Sequence, residues 1–185
     1  MLNIKPSLSL LFWLALLPAI AQASGISFKA VSLGADDGIV LLDIAEQYTL
    51  TPKLQEALEN GVPLTFVTQI NMQQENDWRW NTSIMELDVT KVLSYQPLAD
   101  QYRVDDLHQK IWQMYATQEA ALRALGEIRD LTLIEERLLE KGKRYFVNVQ
   151  TQHDVGALPL PLRPMAYALP AWHLSSKLWE WQLKP

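Results

Sequence analysis

Apolar residues change their spacing from a helical to a strand period within the stretch Thr51–Met72. In its first half, Leu54 and Leu58 lie one helical turn apart, which predicts a short helix with one apolar side. Thr51 is suited to cap the start of this helix, and Gly61 is suited to end it. In the second half the period is two, which predicts a strand whose apolar face carries Leu64, Phe66, Ile70 and Met72. Because a helix of about nine residues is marginal alone, we expect it to dock on the sheet containing this strand.

Alternating patterns elsewhere predict further strands, several of them with one polar face. These strands are predicted at Ile26–Leu33, Ile39–Tyr48, Ile84–Tyr95, Tyr102–Val104, Leu107–Tyr115, Leu131–Ile134 and Tyr145–Gln152, with a short one near the end of the chain. A second short helix is predicted between Thr117 and Gly126. About eight strands with two short α-helices indicate a mainly β (α+β) fold class, with antiparallel, sandwich-like sheets.

The segment 158–164, LPLPLRP, has the most biased composition. Prolines at alternating positions cannot donate hydrogen bonds to a sheet. The segment is therefore predicted to be extended, at a sheet edge or over a sheet face, with its leucines inward. A proline-rich ligand motif from Pro161 to Pro164 is the alternative interpretation.

The first 23 residues have the features of a secretory signal peptide. Lys5 provides the positive charge, Leu8–Leu17 provides a short apolar run, and Ala21–Ala23 matches the small-x-small cleavage pattern. The apolar run is shorter than the roughly 20 residues of a membrane-spanning helix, although a retained leader that anchors the protein is the alternative. We therefore predict a signal peptide over residues 1–23 and a single exported β-rich domain over residues 24–185, located in the periplasm.

Composition narrows the classes of function. The chain carries 16 basic and 21 acidic residues, a net charge of −5, and has no basic run. This argues against binding to nucleic acid or to anionic membrane surfaces. Cysteine is absent, so disulfides, thiol catalysis and cysteine-ligated zinc are excluded. No later apolar segment is long enough to span a bilayer, so no integral membrane segment is expected after cleavage.

The sequence contains no motif that identifies a catalytic, cofactor or metal site. Glycine patterns that bind phosphates or dinucleotides are absent, as is the Gly-x-Ser-x-Gly element. Asp106 and His108 would share one face of a continuous strand, as a pair of metal ligands does, but two ligands do not complete a site. A serine–histidine–acid triad assembles only in space, so the sequence neither indicates nor excludes one. We predict no catalytic residue, no cofactor and no metal.

Tryptophan is the most unusual component, with seven residues. Two pairs are spaced by one residue, Trp78 with Trp80 and Trp179 with Trp181, so that on a strand each pair would present two indoles on one side. Such a pair can form a platform for a sugar or a protein, or it can close the open end of a sandwich. The first pair lies beside the polar segment 73–77. We therefore predict that Trp78, Arg79 and Trp80 bind a ligand or partner.

Several segments together resemble an uncharacterised proteobacterial family of secreted proteins, catalogued as domain of unknown function 4390. The matching segments, in order, are LQEALENGVPLTF, LSYQPLADQYRV, EAALRALGEIRD, LPLPLRP and WHLSSKLWEW. The resemblance covers essentially the whole chain after the signal peptide, and it supplies no catalytic or binding residues. Family members often have a membrane sensor histidine kinase of the nitrogen-regulation type as a neighbour, which implies a role in envelope signalling.

These observations favour a periplasmic, non-enzymatic binding or accessory domain. Its expected partner is an envelope protein, such as the periplasmic region of the sensor kinase, or an envelope ligand. The alternative is a hydrolase or a carbohydrate-binding or carbohydrate-active protein whose site residues are dispersed along the chain. An exposed apolar or aromatic surface favours the binding domain, whereas histidines and carboxylates that line a deep pocket favour the enzyme.

Overall fold

A computed structural model describes residues 24–76 and 80–183. The strands in these residues are β1 (Gly25–Asp36), β2 (Ile39–Thr49), β3 (Leu64–Gln74), β4 (Thr82–Gln96), β5 (Gln101–Asp106), β6 (Ile111–Tyr115), β7 (Glu127–Glu135), β8 (Tyr145–His153) and β9 (Trp179–Leu183). The α-helices are α1 (Pro52–Glu59), α2 (Gln118–Leu125) and α3 (Arg163–Ala168). Short 3-10 helices lie at Glu136–Leu138, Val155–Ala157 and Pro170–Trp172.

The strands form two antiparallel sheets. The smaller sheet has the strand order β1-β2-β7, and the larger has the order β6-β5-β4-β3-β8-β9. The predicted fold class, mainly β with antiparallel, sandwich-like sheets and two short helices, is confirmed. The short strand predicted near the end of the chain is β9, and the six-residue helix α3 adds to the prediction.

The core lies on one face of the larger sheet and has two parts. The smaller sheet covers one part through side chains of β2 and β7 that pack on β3, β4 and β8. Helices α1, α2 and α3 cover the other part. The opposite face of the larger sheet carries polar residues that alternate with the core residues along β3 and β8. The predicted polar face is therefore present.

Helix α1 and strand β3 form as their sequence predicts. The Thr51 hydroxyl accepts a hydrogen bond from the Leu54 N–H at 3.1 Å and so caps the helix. The helix ends before Gly61, whose φ of +78° is a conformation that glycine tolerates better than other residues. Leu58 is fully buried, as is Leu64 at the start of β3. This helix therefore docks on the sheet.

Helix α2 lies against β2 so closely that only glycine fits at its end. The Glu46 N–H donates a hydrogen bond of 2.9 Å to the Gly126 carbonyl. A Cβ added at Gly126 would lie 3.0 Å from the Glu46 carbonyl carbon and closer still to its oxygen. The contact positions the end of α2 over the junction of the two sheets.

The prediction of an extended segment at 158–164 is wrong. Leu158 is buried, but the chain then turns, Leu160 is 73% exposed and α3 begins at Arg163. Pro164 occupies the first turn of this helix, where no N–H donor is needed. The alternating prolines therefore mark a turn and a helix start.

The predicted strand Leu107–Tyr115 is shorter than expected. Its first four residues form a turn in which Lys110 has a φ of +58°. Only the last five residues, Ile111–Tyr115, pair with β5.

Candidate functional site: an exposed sheet edge

Strand β6 and the turn before it form an exposed apolar surface. Its four large side chains are Leu107, Ile111, Trp112 and Met114, with exposed fractions of 54%, 50%, 58% and 37%. We call these residues the β6 edge surface. Strand β6 pairs with β5 on one side, and no other strand in the described part of the chain pairs with it. Its outer side therefore presents backbone N–H and C=O groups without strand partners.

Strand β6 lacks the charged residues, prolines and bulges that commonly prevent an edge strand from pairing with another chain. Such strands are protected by charged residues, prolines or bulges. The sequence of β6, IWQMY, contains neither charge nor proline, and its register with β5 is uninterrupted. This edge is therefore open to strand addition, in which a peptide pairs with a sheet edge through its backbone.

The indole of Trp112 is held in place from behind. The guanidinium carbon of Arg103 lies 4.7 Å from the centre of the indole ring. Arg103 is fixed in turn by Asp105, whose two oxygens accept from Arg103 Nε at 3.0 and 2.9 Å. An aromatic side chain that is already ordered loses little conformational entropy when it is covered. Trp112 is thus suited to anchor a bound segment.

A cleft of about 280 Å³ opens beside β6, between its inner face and the start of β7. It is lined by Lys91, Val104, Asp106, Gln109, Ile111, Trp112, Gln113, Tyr115, Ala124, Glu127 and Arg129. The lining mixes apolar, acidic and basic groups. The cleft can therefore accept a side chain from a segment bound at the edge.

Lys91 at this cleft is buried and engaged by the fold. Its ammonium group donates to the Glu127 carbonyl and, at 3.4 Å, to the Ala124 carbonyl. Its Nζ also lies 3.7 Å from an Asp106 carboxylate oxygen. Burial lowers the pKa of Lys91, and the Asp106 carboxylate opposes this shift. Because Ala124 belongs to the last turn of α2, the lysine compensates the helix C-terminus, where carbonyls lack helical partners.

A second buried charge lies between the sheets. Glu46 accepts hydrogen bonds from the Tyr48 hydroxyl at 2.7 Å and from the Thr151 hydroxyl at 2.5 Å. The Thr151 hydroxyl also lies 2.9 Å from that of Thr68. Burial raises the pKa of Glu46, and the hydrogen bonds from Thr151 and Tyr48 oppose this shift. The network joins β2 to the larger sheet.

The structure gives limited information on the predicted tryptophan–arginine site. Trp78 and Arg79 lie outside the described residues. Trp80 is 93% exposed, and its carbonyl accepts a hydrogen bond from the Asn76 side chain at 3.2 Å. The recognition role of Trp78, Arg79 and Trp80 stays a prediction.

The second tryptophan pair lies on one strand, β9, with its two rings on the same side, as its spacing predicts. Trp179 and Trp181 are stacked, with ring centres 6.0 Å apart and planes within 4° of parallel. Trp179 packs against the core, whereas Trp181 is 52% exposed. One ring therefore contributes to the core, and the other is half exposed beside it.

The pair Asp106 and His108 does not lie on one continuous strand. Strand β5 ends at Asp106, which faces Lys91, and His108 lies in the following turn. In residues 24–76 and 80–183, no group of three histidine, cysteine, aspartate or glutamate residues could hold a metal ion.

Sequence reasoning missed the β6 edge surface and both buried charges. A signal for the edge was present, since Ile111–Tyr115 combines four apolar residues with no charge. The buried charges also had a signal, because alternate residues of a strand lie on the same face. Lys91 is two residues from Val89 and Leu93, and Glu46 is two residues from Ile44, so both lie on an apolar strand face.

The fold and its exposed edge define a two-sheet α+β sandwich domain with a surface suited to strand addition. A family model described as Domain of unknown function (DUF4390) matches residues 23–182, and the chain belongs to this family. Comparison with curated proteins and with solved structures gave no match. Among the helices of the described residues, none has the length and apolar character needed to cross a membrane.

Proposed function

We propose that this protein is an exported, non-enzymatic binding domain that receives an extended segment of a protein partner at the β6 edge surface. Periplasmic location is part of the proposal, and the signal-peptide pattern of residues 1–23 supports it. The single observation that carries the proposal is that β6 is an apolar, uncharged edge strand whose free edge pairs with no other strand of residues 24–76 and 80–183.

The contacts available at β6 explain both affinity and specificity. A strand that adds to β6 would gain backbone hydrogen bonds along Ile111–Tyr115. Side chains on its outer face would cover Trp112 and Met114, and one on its inner face would enter the cleft. An aromatic anchor such as Trp112 contributes about 2 kcal/mol or more once it is fully covered.

The buried charged groups support binding over catalysis. Lys91 is committed to the carbonyls at the end of α2, and Glu46 is committed to Tyr48 and Thr151. Each group therefore has a role in holding the two sheets and α2 together.

The partner that we propose is an envelope protein, with the periplasmic region of the neighbouring sensor kinase as the first candidate. This assignment follows from the family resemblance. The site predicted at Trp78, Arg79 and Trp80 is proposed as a second contact, and the 93% exposure of Trp80 supports it.

The test is crosslinking in cells from a photoreactive residue at position 113, with position 182 as the control. Both positions carry exposed glutamines, on the two opposite edges of the same sheet. We expect position 113 to give a crosslink to one envelope protein, identified by mass spectrometry, and position 182 to give none. Equal crosslinking from both positions would contradict the proposal.

A variant tests the energetic part of the proposal. Trp112→Ala should weaken partner capture roughly thirty-fold, the equivalent of about 2 kcal/mol. It should change the free energy of unfolding by only about 0.5 kcal/mol, because the side chain is more than half exposed. Unchanged capture by a folded Trp112→Ala protein would exclude β6 as the binding site.

Carbohydrate binding is the second candidate function, favoured by the outer face of the larger sheet. Amide side chains alternate with core residues along β3 and β8, at Gln69, Asn71, Gln73, Asn148, Gln150 and Gln152. Amides are suited to paired hydrogen bonds with sugar hydroxyls. Calorimetric titration with soluble peptidoglycan fragments tests this candidate, and Gln69→Ala combined with Gln150→Ala should abolish any binding. Heat signals that survive this double substitution would place the sugar elsewhere.

A further inference from the structure

We propose that β6 also pairs with β6 of a second copy of this chain, so that the free protein is a reversible homodimer. Self-association would then compete with partner binding, because both use the β6 edge surface. This inference rests on the proposed function only for that competition. The homodimer itself follows from the chemistry of the strand.

The side chains of β6 are complementary to themselves about Gln113. In an antiparallel pair centred on Gln113, Ile111 lies opposite Tyr115 of the second copy, and Trp112 lies opposite Met114 of the second copy. The first is a β-branched–aromatic pair and the second is a sulfur–aromatic pair, both favourable across strands. The only polar residue of the strand, Gln113, meets its own copy on the two-fold axis, where two amides can hydrogen-bond to each other.

This register also preserves the two faces of the sheet. Gln113 pairs with Val104 of β5, which is buried, so Gln113 lies on the inner face. Trp112 pairs with Asp105 and lies on the outer face. The two-fold arrangement matches inner with inner and outer with outer residues, so two six-stranded sheets would join into one.

Neighbouring registers are less favourable. A shift of two residues in one direction would place Lys110 opposite Met114, and a shift in the other would place Trp112 opposite Ala116. The pairing about Gln113 is thus the one in which all five residues of β6 find a partner within the same strand.

Among the edge strands of the described residues, β6 is distinguished by having no charged residue. At the other edge of the larger sheet, β9 carries Glu180. At the edges of the smaller sheet, β1 carries Lys29, and β7 carries several charges, including Arg129. Charged residues of this kind protect edges from pairing. We therefore place the contact between copies at β6.

The size of the contact predicts a weak dimer. Five residues a side form its centre, whereas stable interfaces of standard size use about 20 to 30 residues a side. A dissociation constant of the order of micromolar is therefore expected. A dimer of this strength dissociates readily, which leaves β6 accessible to a partner that binds more tightly.

Sedimentation velocity of the exported protein, purified as cells produce it, tests the dimer. Over roughly 1 to 100 µM, the parent protein should shift from monomer to dimer. Gln113→Lys places two ammonium groups across the axis, and Gln113→Glu places two carboxylates there, so each variant alone should be monomeric at every concentration. An equimolar mixture of the two should recover dimers, because opposite charges then meet.

Gln182→Lys on β9 is the matched control and should dimerise like the parent protein. The melting temperature of each variant is measured to establish that it is folded. A parent protein that is monomeric throughout, single variants that still dimerise, or a mixture that stays monomeric would each overturn the inference.

The experiment separates the dimer from the proposed function. A monomeric parent protein that still crosslinks its partner from position 113 would refute the dimer and leave the proposed function intact. A dimer that follows the charge-exchange pattern, without partner crosslinks from position 113, would refute the proposed function alone. Where both hold, an excess of the crosslinked partner should convert the parent dimer into a complex of one copy with one partner in sedimentation velocity, and a dimer that stays intact with the partner bound would refute the competition.

Discussion

Substituting Gly126 by alanine tests how closely α2 approaches β2. The added Cβ would lie 3.0 Å from the Glu46 carbonyl carbon and closer still to its oxygen, whereas carbon contacts are ordinarily about 3.5 to 4.0 Å. Helix and strand would have to separate by about 1 Å. Overpacking of this kind costs about 1 to 3 kcal/mol, and loss of the hydrogen bond from Glu46 to Gly126 adds about 1 kcal/mol. Alanine also makes the unfolded chain less flexible than glycine does, which stabilises the folded protein by roughly 0.4 to 1 kcal/mol.

The net expectation for Gly126→Ala is a loss of about 2 kcal/mol in the free energy of unfolding. Urea unfolding measures it as a lower midpoint at an unchanged slope. Gly34→Ala is the control, because a Cβ there meets nothing within 4 Å and Gly34 lies in a strand. If the two variants unfold at the same midpoint, the close approach of α2 to β2 is wrong.

Three further predictions concern stability. Leu58→Ala should cost about 2 to 5 kcal/mol because the side chain is fully buried, whereas Glu56→Ala on the exposed side of α1 should cost little; urea midpoints compare them. Glu46→Gln should raise the melting temperature at neutral pH. Because the pKa of Glu46 is raised in the folded state, the parent protein loses stability as the pH rises from about 4.5, the ordinary pKa of this group, through the folded pKa. The difference in melting temperature between Glu46→Gln and the parent protein should therefore shrink towards pH 4, and a difference that stays constant from neutral pH to pH 4 would contradict the argument. Chelator treatment should leave the melting temperature unchanged, and a fall restored by zinc would instead indicate ligands such as Asp106 and His108.

Local sequence patterns were sufficient to predict most of the secondary structure. The cap at Thr51, the stop at Gly61 and the change of period at Pro63 depend on neighbouring residues, and the structure confirms α1 and β3 with bounds close to those predicted. The same holds for α2, whose Thr117 hydroxyl accepts a hydrogen bond from the Ala120 N–H. Interactions within a few residues determine these elements.

The candidate site could not be predicted in this way because it depends on strand order. An apolar run such as Ile111–Tyr115 is equally consistent with a buried central strand and an exposed edge strand. Its position is determined by the hairpin with β5 and by the lack of any further strand beyond it in the described residues. The strand pattern predicts that Lys91 points inward, but the carbonyls at the end of α2 that accept its hydrogen bonds are distant in sequence.

The two sheets differ in the order in which a growing chain can complete them. In the larger sheet, β3 to β6 are joined by successive hairpins that need only neighbouring residues. In the smaller sheet, β2 has to wait for β7, since Ile39 pairs with Glu135. Contacts between distant residues form slowly. Four strands of the larger sheet can therefore pair early, but neither sheet is complete until strands from the second half of the chain are added, β7 in the smaller sheet and β8 and β9 in the larger.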